Sequence, residues 1–132
     1  MGGERAERFG LPKKEIITSS REISDIFKSS KRIAGSQISI FYKLYHDHDS
    51  IRVAFTASKK IKRAVDRNRL KRLMRETFRL NVEELRQITQ RKNFGLDIIL
   101  SINSIQSIKK FSLRDIEKDF KQFLEVSREL TG

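Results

Sequence analysis

The chain has 132 residues, of which 37% are hydrophobic and 35% are charged, and its formal net charge is +12. A chain of this length typically forms one domain, and so large a positive charge indicates a polyanionic partner, with nucleic acid as the first candidate and an anionic membrane as the second. The absence of cysteine excludes disulfides and thiolate metal sites, and no apolar run approaches the roughly 20 residues that span a bilayer. Because the N-terminus also lacks the apolar region of a signal peptide, we expect a cytoplasmic nucleic-acid-binding protein with no membrane partner.

The N-terminal stretch over residues 1–18 is mixed in charge and aperiodic, and it contains Pro12, the only proline. We interpret it as an extended basic arm. A single domain is expected over residues 19–127, followed by a tail over residues 128–132, because no linker rich in glycine or proline interrupts the chain.

A short first helix is predicted over residues 20–29. Ser19 and Glu22 have the spacing of a capping box, and apolar residues follow at positions 23, 26 and 27. The cations near position 30 suit the C-terminal end of a helix dipole, and Gly35 then turns the chain.

Two strands joined by a polar turn are predicted next, over residues 37–45 and 51–57, as a β-hairpin. The first strand alternates between a core face and a face that mixes aromatic and basic groups. The core face comprises Ile38, Ile40, Tyr42 and Leu44, and the mixed face comprises Ser39, Phe41, Lys43 and Tyr45. In the second strand, Arg52, Ala54 and Thr56 form a small polar face, which predicts an open hollow on the sheet.

The mixed face has two interpretations. Aromatic rings beside cations are typical of surfaces on which single-stranded RNA stacks its bases. Alternatively, Phe41 and Tyr45 pack under the first helix, against Ile23 and Phe27. Both interpretations hold if Phe27 and Phe41 together form the wall of a cleft.

The turn between these strands contains His46 and His48, whose side chains bind metals in many proteins. Hairpin loops are usually polar for solubility, however, and no other cluster of ligands lies nearby in the sequence. We therefore expect no metal site on this protein.

A strongly basic segment over residues 58–80 holds ten basic and two acidic side chains, and therefore +8 of the net charge of +12. Its periodicity predicts a helix over residues 64–80, with an apolar pattern that continues to Leu85 and Ile88. The apolar stripe comprises Leu70, Leu73, Met74, Thr77 and Phe78, and the opposite face comprises Asn68, Lys71, Arg72, Arg75 and Arg79.

The cation row of this helix favours nucleic acid over a merely solvated face. Six of the ten cations in residues 58–80 are arginine, whose planar fork suits phosphate, and few acids neutralise them. The charge alone does not separate RNA from DNA. Arg67 lies in line with the apolar stripe, and we expect its side chain to reach over the sheet edge toward the cleft.

The C-terminal part is predicted to contain a strand over residues 97–102 and a helix that Ser112 caps, with Asp115 at the capping-box position. The apolar stripe of that helix comprises Leu113, Ile116, Phe120, Phe123 and Leu124. The predicted order α-β-β-α-β-α indicates an α+β two-layer sandwich. No catalytic motif is recognisable, because the acids are scattered along the chain.

The basic segment reads S-K-K-x-x-x-A-V-x-R-N-R-x-K-R-x-x-R-E-x-F from Ser58 to Phe78. This pattern resembles the signature of the bacterial ribonuclease P protein subunit, and the resemblance extends over residues 8–125. It implies a left-handed β-α-β crossover through the basic helix, as in a domain of a ribosomal protein with a similar two-layer fold. The matching positions are Ser58, Lys59, Lys60, Ala64, Val65, Arg67, Asn68, Arg69, Lys71, Arg72, Arg75 and Phe78.

The resemblance implies a function that composition does not. The chain would be the small subunit, present once per ribonucleoprotein, of the enzyme that removes the 5′ leader of precursor tRNA. Its partners would be the ribonuclease P RNA and precursor tRNA, and the RNA would carry out the hydrolysis with Mg²⁺ that it mainly binds itself. The protein would supply no catalytic residue. The alternatives are a structural RNA-binding protein of the ribosomal type and a stand-alone nuclease.

The resemblance also implies two sets of site residues. The set that would bind the catalytic RNA comprises Lys59, Lys60, Arg63, Arg67, Asn68, Arg69, Lys71, Arg72 and Arg75. The set that would line the leader cleft comprises Ile23, Phe27, Phe41 and Lys43.

Overall fold

A computed structural model describes residues 15–102 and 112–130 of the chain. The arm predicted over residues 1–18 therefore lies mostly outside the described residues. The described elements are α1 (Ser20–Ser29), β1 (Lys31–Ala34), β2 (Ile38–Tyr45), β3 (Ile51–Thr56), α2 (Ala64–Lys92), β4 (Gly95–Ile102) and α3 (Leu113–Glu129). The predicted α+β class is confirmed, with one strand more than expected.

The sheet has the strand order β1-β2-β4-β3. Strands β1 and β2, and strands β2 and β4, are antiparallel, whereas β3 and β4 are parallel. The predicted hairpin of β2 and β3 is wrong, because β4 lies between them. Residues 95–100 of β4 are all buried, and a strand that is covered on both faces belongs in the interior of a sheet.

The additional strand is β1, whose residues follow the predicted first helix and were not predicted to form a strand. Its short edge position suits its exposed cations Lys31 and Arg32, since charged side chains discourage pairing with another sheet edge. The turn to β2 is closed by the Gly35 N–H, which donates to the Ile38 carbonyl at 2.8 Å.

The main core lies between one face of the sheet and the helices α2 and α3. The predicted stripe of α2 is confirmed by Leu70, Met74 and Phe78, which are almost completely buried. The Phe78 ring packs edge-on against Phe120 of α3, with a centroid distance of 5.8 Å. Helix α2 runs to Lys92 and ends at Asn93, whose left-handed backbone (φ 59°) directs its N–H to the Thr89 carbonyl.

Helix α2 connects the parallel neighbours β3 and β4, and so forms a β-α-β crossover. The left-handed sense implied by the resemblance stays a prediction. Within the described residues, no helix has both the length and the apolar character that crossing a membrane requires.

The opposite face of the sheet carries α1. Ile26 of α1 packs in a small cluster with Ile17, Ala54 and Ile99. The hollow predicted on the face of Ala54 is therefore wrong at that residue, because the helix covers it. Ile17 also extends the pairing of β3, since its N–H donates to the Val53 carbonyl at 2.7 Å.

Candidate nucleic-acid interface

Helix α1 begins at the predicted capping box, in which the Ser19 side chain accepts a hydrogen bond from the Glu22 N–H at 3.3 Å. The helix directs Ile26 into the sheet and leaves Phe27 with 37% of its surface exposed. The Phe27 ring meets Phe41 of β2 edge-on, with a centroid distance of 4.7 Å. Phe41 therefore supports an aromatic side chain that remains partly open to solvent.

A cleft of about 650 Å³ lies between α1 and α2, above the end of β3. Helix α1 and the segment that precedes it form one wall, α2 forms the other, and the end of β3 with the following loop forms the floor. The lining residues are Ile16, Ile17, Thr18, Ser20, Ile23, Ser24, Phe27, Phe55, Thr56, Ala57, Lys59, Lys71 and Arg75.

The lining combines an aromatic ring with positive charge. Lys59, Lys71 and Arg75 line it together with Phe27, and among the described residues no acidic side chain does. On the floor, the buried hydroxyl oxygen of Thr56 has no hydrogen-bond partner in the described part of the chain. A cationic groove beside an aromatic platform is how proteins hold single-stranded nucleic acid.

Arg75 joins this cleft to the outer face of α2. Its guanidinium carbon lies 5.6 Å from the centroid of the Phe55 ring, and Phe55 in turn packs against Phe78 of the main core, at 6.1 Å. The packing of Phe55 against the main core therefore determines where the Arg75 guanidinium lies at the rim of the cleft.

The outer face of α2 carries the rest of the predicted cation row. Asn68, Arg72 and Arg75 are exposed on this helix, and Lys71 is half-buried. Positions three and four apart lie on one side of a helix, so these residues form a continuous surface. Arg79 continues the row but is paired with Glu76, whose pKa is lowered by the hydrogen bond from Arg79.

A sequence model of the family described as Ribonuclease P matches residues 11–127 of this chain. The chain belongs to the ribonuclease P protein family. A ribonuclease P protein component from Porphyromonas gingivalis is 34% identical over 102 residues, which cover 73% of this chain and 72% of that protein. One from Fusobacterium nucleatum is 30% identical over 107 residues, which cover 81% of this chain and 91% of that protein.

The fold agrees with this family. The ribonuclease P protein from Thermotoga maritima has a TM-score of 0.67 at 21% identity, covering 89% of this chain and 99% of that one. The resemblance stated from the R-N-R segment is thus confirmed, and the chain is the protein component of an RNA-processing enzyme.

Not every residue that the ribonuclease P resemblance implies lies at the cleft. Ile23 and Phe27 line it, and Phe41 lies behind Phe27. Lys43 does not line it: its ammonium nitrogen lies 5.4 Å from the centroid of the Tyr45 ring. Three members of the predicted RNA-binding set line it instead: Lys59, Lys71 and Arg75.

The predicted RNA-binding set is spread over the loop before α2 and the first turns of the helix. Lys59, Lys60 and Arg63 are exposed, and Arg69 is half-buried. The roles of these residues stay predictions.

Arg67 of the R-N-R motif does not reach toward the cleft as expected. Its Nη1 donates to the carbonyls of Ile61 and Lys62, the latter at 3.1 Å. Arg67 therefore holds the loop that precedes α2 against the start of the helix. The helix wheel places the side chain near the apolar stripe but does not show that carbonyls one turn earlier are in reach.

An ion pair between half-buried Arg52 and buried Asp97 lies under α1 and was not predicted from the sequence. Asp97 of β4 is 1% exposed and accepts hydrogen bonds from Arg52 Nε at 3.0 Å and Nη2 at 2.9 Å. Arg52 Nη1 also donates to Glu22 of α1 at 3.0 Å, so the pair ties the helix to the sheet. No sequence signal showed it, because Arg52 and Asp97 are neighbours only in the parallel β3–β4 pairing.

Tyr45 completes this cluster through its hydroxyl, which donates to Asp97 Oδ2 at 2.8 Å. Burial and this hydrogen bond raise the pKa of Tyr45 to about 12. The hydrogen bond to Asp97 likewise raises the pKa of Arg52. Both groups thus keep their usual protonation over the physiological range.

The described residues contain no group of three or more histidine, aspartate or glutamate side chains placed to hold a metal ion. His48 of the predicted turn stacks on Tyr45 at 5.0 Å, and its Nδ1 accepts a hydrogen bond from the Ser50 N–H at 3.1 Å. The His48 ring is thus engaged by contacts within the protein.

Proposed function

We propose that this chain is the subunit of ribonuclease P that binds both the catalytic RNA and the 5′ leader of precursor tRNA, and so assists endonucleolytic 5′ maturation of tRNA. The observation that carries the proposal is the continuity of two surfaces. The cation row of α2 includes Lys71 and Arg75, which also line the cleft beside Phe27.

The cleft suits the leader because the leader is single-stranded. Unpaired bases stack on exposed rings, and their phosphates follow cationic side chains. Phe27 supplies the ring, while Lys59, Lys71 and Arg75 supply the charge along the facing side. A folded tRNA body is too wide for a groove between two neighbouring helices, so the unpaired end is the part that fits.

The outer face of α2 suits the catalytic RNA. Its arginines bind phosphate through a planar fork, and each phosphate that is neutralised releases a condensed counterion. The loop cations Lys59, Lys60 and Arg63 extend this surface beyond the N-terminus of the helix.

The hydrolysis belongs to the RNA in this proposal, and the required Mg²⁺ is assigned to the RNA as well. The carboxylates of Asp97 and Asp119 are occupied by hydrogen bonds within the protein, which fits an assisting role. The protein contributes positive charge that lowers the demand for Mg²⁺. The proposal includes one copy of the protein per RNA and a cytoplasmic location.

The test is cleavage of precursor tRNA by a bacterial ribonuclease P RNA at low Mg²⁺, with and without the protein. We expect the protein to stimulate cleavage strongly at low Mg²⁺ and only weakly at high Mg²⁺. Binding without any stimulation would favour the structural RNA-binding alternative. Cleavage by the protein without the RNA would favour a stand-alone nuclease.

A further inference from the structure

A second, shallow hollow of about 320 Å³ lies beyond the pair Phe27–Phe41, toward the edge strand β1. Its lining residues are Arg32, Ser39, Phe41, Ser101 and Ile102. Only Phe41 of these belongs to the two sets of site residues that the resemblance implies.

A row of small hydroxyl side chains connects this hollow to the cleft. Thr56 on the cleft floor is paired with Ser101 of β4, and Ser101 is paired with Ser39 of β2. Paired residues of neighbouring strands point to the same face and lie about 5 Å apart. The Thr56 hydroxyl is buried and Ser39 is 2% exposed, so this row of small side chains forms a low strip of the sheet between the cleft and the hollow, on which Ser101 is partly exposed.

Arg32 stands at the far end of this strip. Its Nε donates to Ser39 Oγ at 3.0 Å, and its guanidinium carbon lies 5.9 Å from the centroid of Phe41. Within the described ranges, no carboxylate forms an ion pair with it. The guanidinium is thus oriented by one hydrogen bond, made through Nε, and by one ring.

We propose that Arg32 binds a phosphate of the single strand after that strand has left the cleft and crossed the end of the sheet. This inference rests on the proposed binding of the leader in the cleft, and it makes Arg32 a residue that senses leader length. The planar fork suits a phosphodiester, and less side-chain entropy is lost on binding because Ser39 and Phe41 already hold the guanidinium.

The experiment compares holoenzymes reconstituted with wild-type protein, Arg32→Ala and Lys31→Ala on precursor tRNAs with leaders of increasing length. Lys31 is the matched control, because it is an exposed cation on the same strand whose neighbour Tyr42 belongs to the opposite face. For wild type we expect affinity to rise with leader length and then reach a plateau. For Arg32→Ala we expect unchanged affinity for short leaders and a loss of about fivefold for long ones, as for one charge-assisted contact.

A salt series distinguishes a phosphate contact from a packing role. For long leaders, Arg32→Ala should reduce the slope of log affinity against log salt by about 0.7, and for short leaders the slope should not change. Arg32→Lys keeps the positive charge but lacks the planar guanidinium. It should restore the wild-type salt slope for long leaders and only part of the wild-type affinity. Thermal unfolding of each variant reports any general effect on the fold.

The inference is overturned if the affinity of the Arg32→Ala holoenzyme equals that of wild type at every leader length. It is also overturned if the affinity falls by the same factor at every leader length. A loss equal to that of Lys31→Ala would also overturn it. If the wild type itself shows no dependence on leader length, the proposed leader cleft fails too. If the wild type shows the dependence and Arg32→Ala leaves the plateau unchanged, only the role of Arg32 fails.

Discussion

The guanidinium of Arg75 lies over the ring of Phe55, with 5.6 Å between the guanidinium carbon and the ring centroid. This relationship joins two surfaces that the sequence presents as separate, because Arg75 belongs to the cation row of α2 and also lines the cleft. Arg72, one residue of the same row, is exposed but does not line the cleft. The two arginines therefore allow the two surfaces to be tested separately.

Arg72→Ala and Arg75→Ala should both weaken binding to the ribonuclease P RNA and reduce its salt slope by about 0.9 for each phosphate that is no longer neutralised. Only Arg75→Ala should also reduce the preference of the holoenzyme for precursor tRNA over mature tRNA. Affinities measured over a series of salt concentrations check both statements. An unchanged salt slope for Arg72→Ala would remove that residue from the RNA interface, and equal substrate preferences in the two variants would separate Arg75 from the cleft.

Phe27→Ala should weaken binding of precursor tRNA by about 1 kcal/mol, the lower end for loss of one stacked base, and leave mature tRNA unaffected. The matched control is Leu80→Ala, which truncates another exposed apolar side chain, on α2 and outside the cleft. Holoenzyme affinities for the two tRNAs provide the measurement. An equal loss for both tRNAs would assign Phe27 to packing instead of to the leader.

The local elements were predictable because their signals lie within a few residues of one another. Ser19 and Ser112 both cap the helices that their capping boxes predict, and Leu70, Met74 and Phe78 form the expected buried stripe. The strand order was not predictable, since the polar turn before Ile51 fits a hairpin as well as a separate parallel strand. Arg52 and Asp97 lie 45 positions apart, so their ion pair depends on that order and shows no periodicity.

The candidate site, like the fold, was predictable in its individual residues but not in how they come together. The cations and Phe27 follow from composition and from the R-N-R resemblance, whereas their meeting at one cleft depends on how α1 lies on the sheet. Lys43 was assigned to the cleft because it alternates with Phe41, but the cleft lies over β3 and not over the middle of β2. Arg32 was not predicted because it was interpreted only as a cation near the C-terminal end of the first helix, and no strand was predicted there.

Asp119 of α3 holds the turn between β1 and β2. It is 6% exposed, and its carboxylate accepts hydrogen bonds from the N–H groups of Ser36 at 3.0 Å, Gln37 at 2.7 Å and Ile38 at 3.0 Å. Asp119→Asn should lower the free energy of unfolding by about 2 kcal/mol, because it removes the charge and places an amide N–H₂ against backbone donors. Urea unfolding measures the change.

Glu125→Gln on the exposed face of the same helix is the control, and it should change stability by less than about 0.5 kcal/mol. Gly35→Ala is a second variant that disturbs the contact between Asp119 and the turn, because a Cβ added at position 35 would lie 2.3 Å from Asp119 Cγ. If Asp119→Asn were as stable as Glu125→Gln, the turn would not depend on this carboxylate.

Tyr45 should make the stability of the protein depend on pH in the alkaline range. Its pKa is raised from 10.0 to about 12 in the folded state, so folding favours the neutral phenol. The resulting contribution of the neutral phenol to the free energy of unfolding is complete below pH 10 and is lost as the pH rises toward 12. Tyr45→Phe removes it, and the difference in unfolding free energy between wild type and variant should be constant below pH 10 and decrease above it.

The difference in phenolate absorbance between wild type and Tyr45→Phe gives the titration of Tyr45 directly. A midpoint near 12 is expected. A midpoint near the ordinary value of 10.0 would show that the hydroxyl is not held by Asp97 in solution.

The most direct measurement of leader binding in the cleft is site-specific crosslinking, which is straightforward because the chain contains no cysteine. Ser24→Cys places a photoreactive group at the wall of the cleft, and Ser29→Cys places the same group on the same helix outside it. In the reconstituted holoenzyme with precursor tRNA, we expect the group at position 24 to crosslink to the 5′ leader and the group at position 29 to crosslink much less. Equal crosslinking from both positions, or none to the leader from position 24, would contradict the assignment of the cleft.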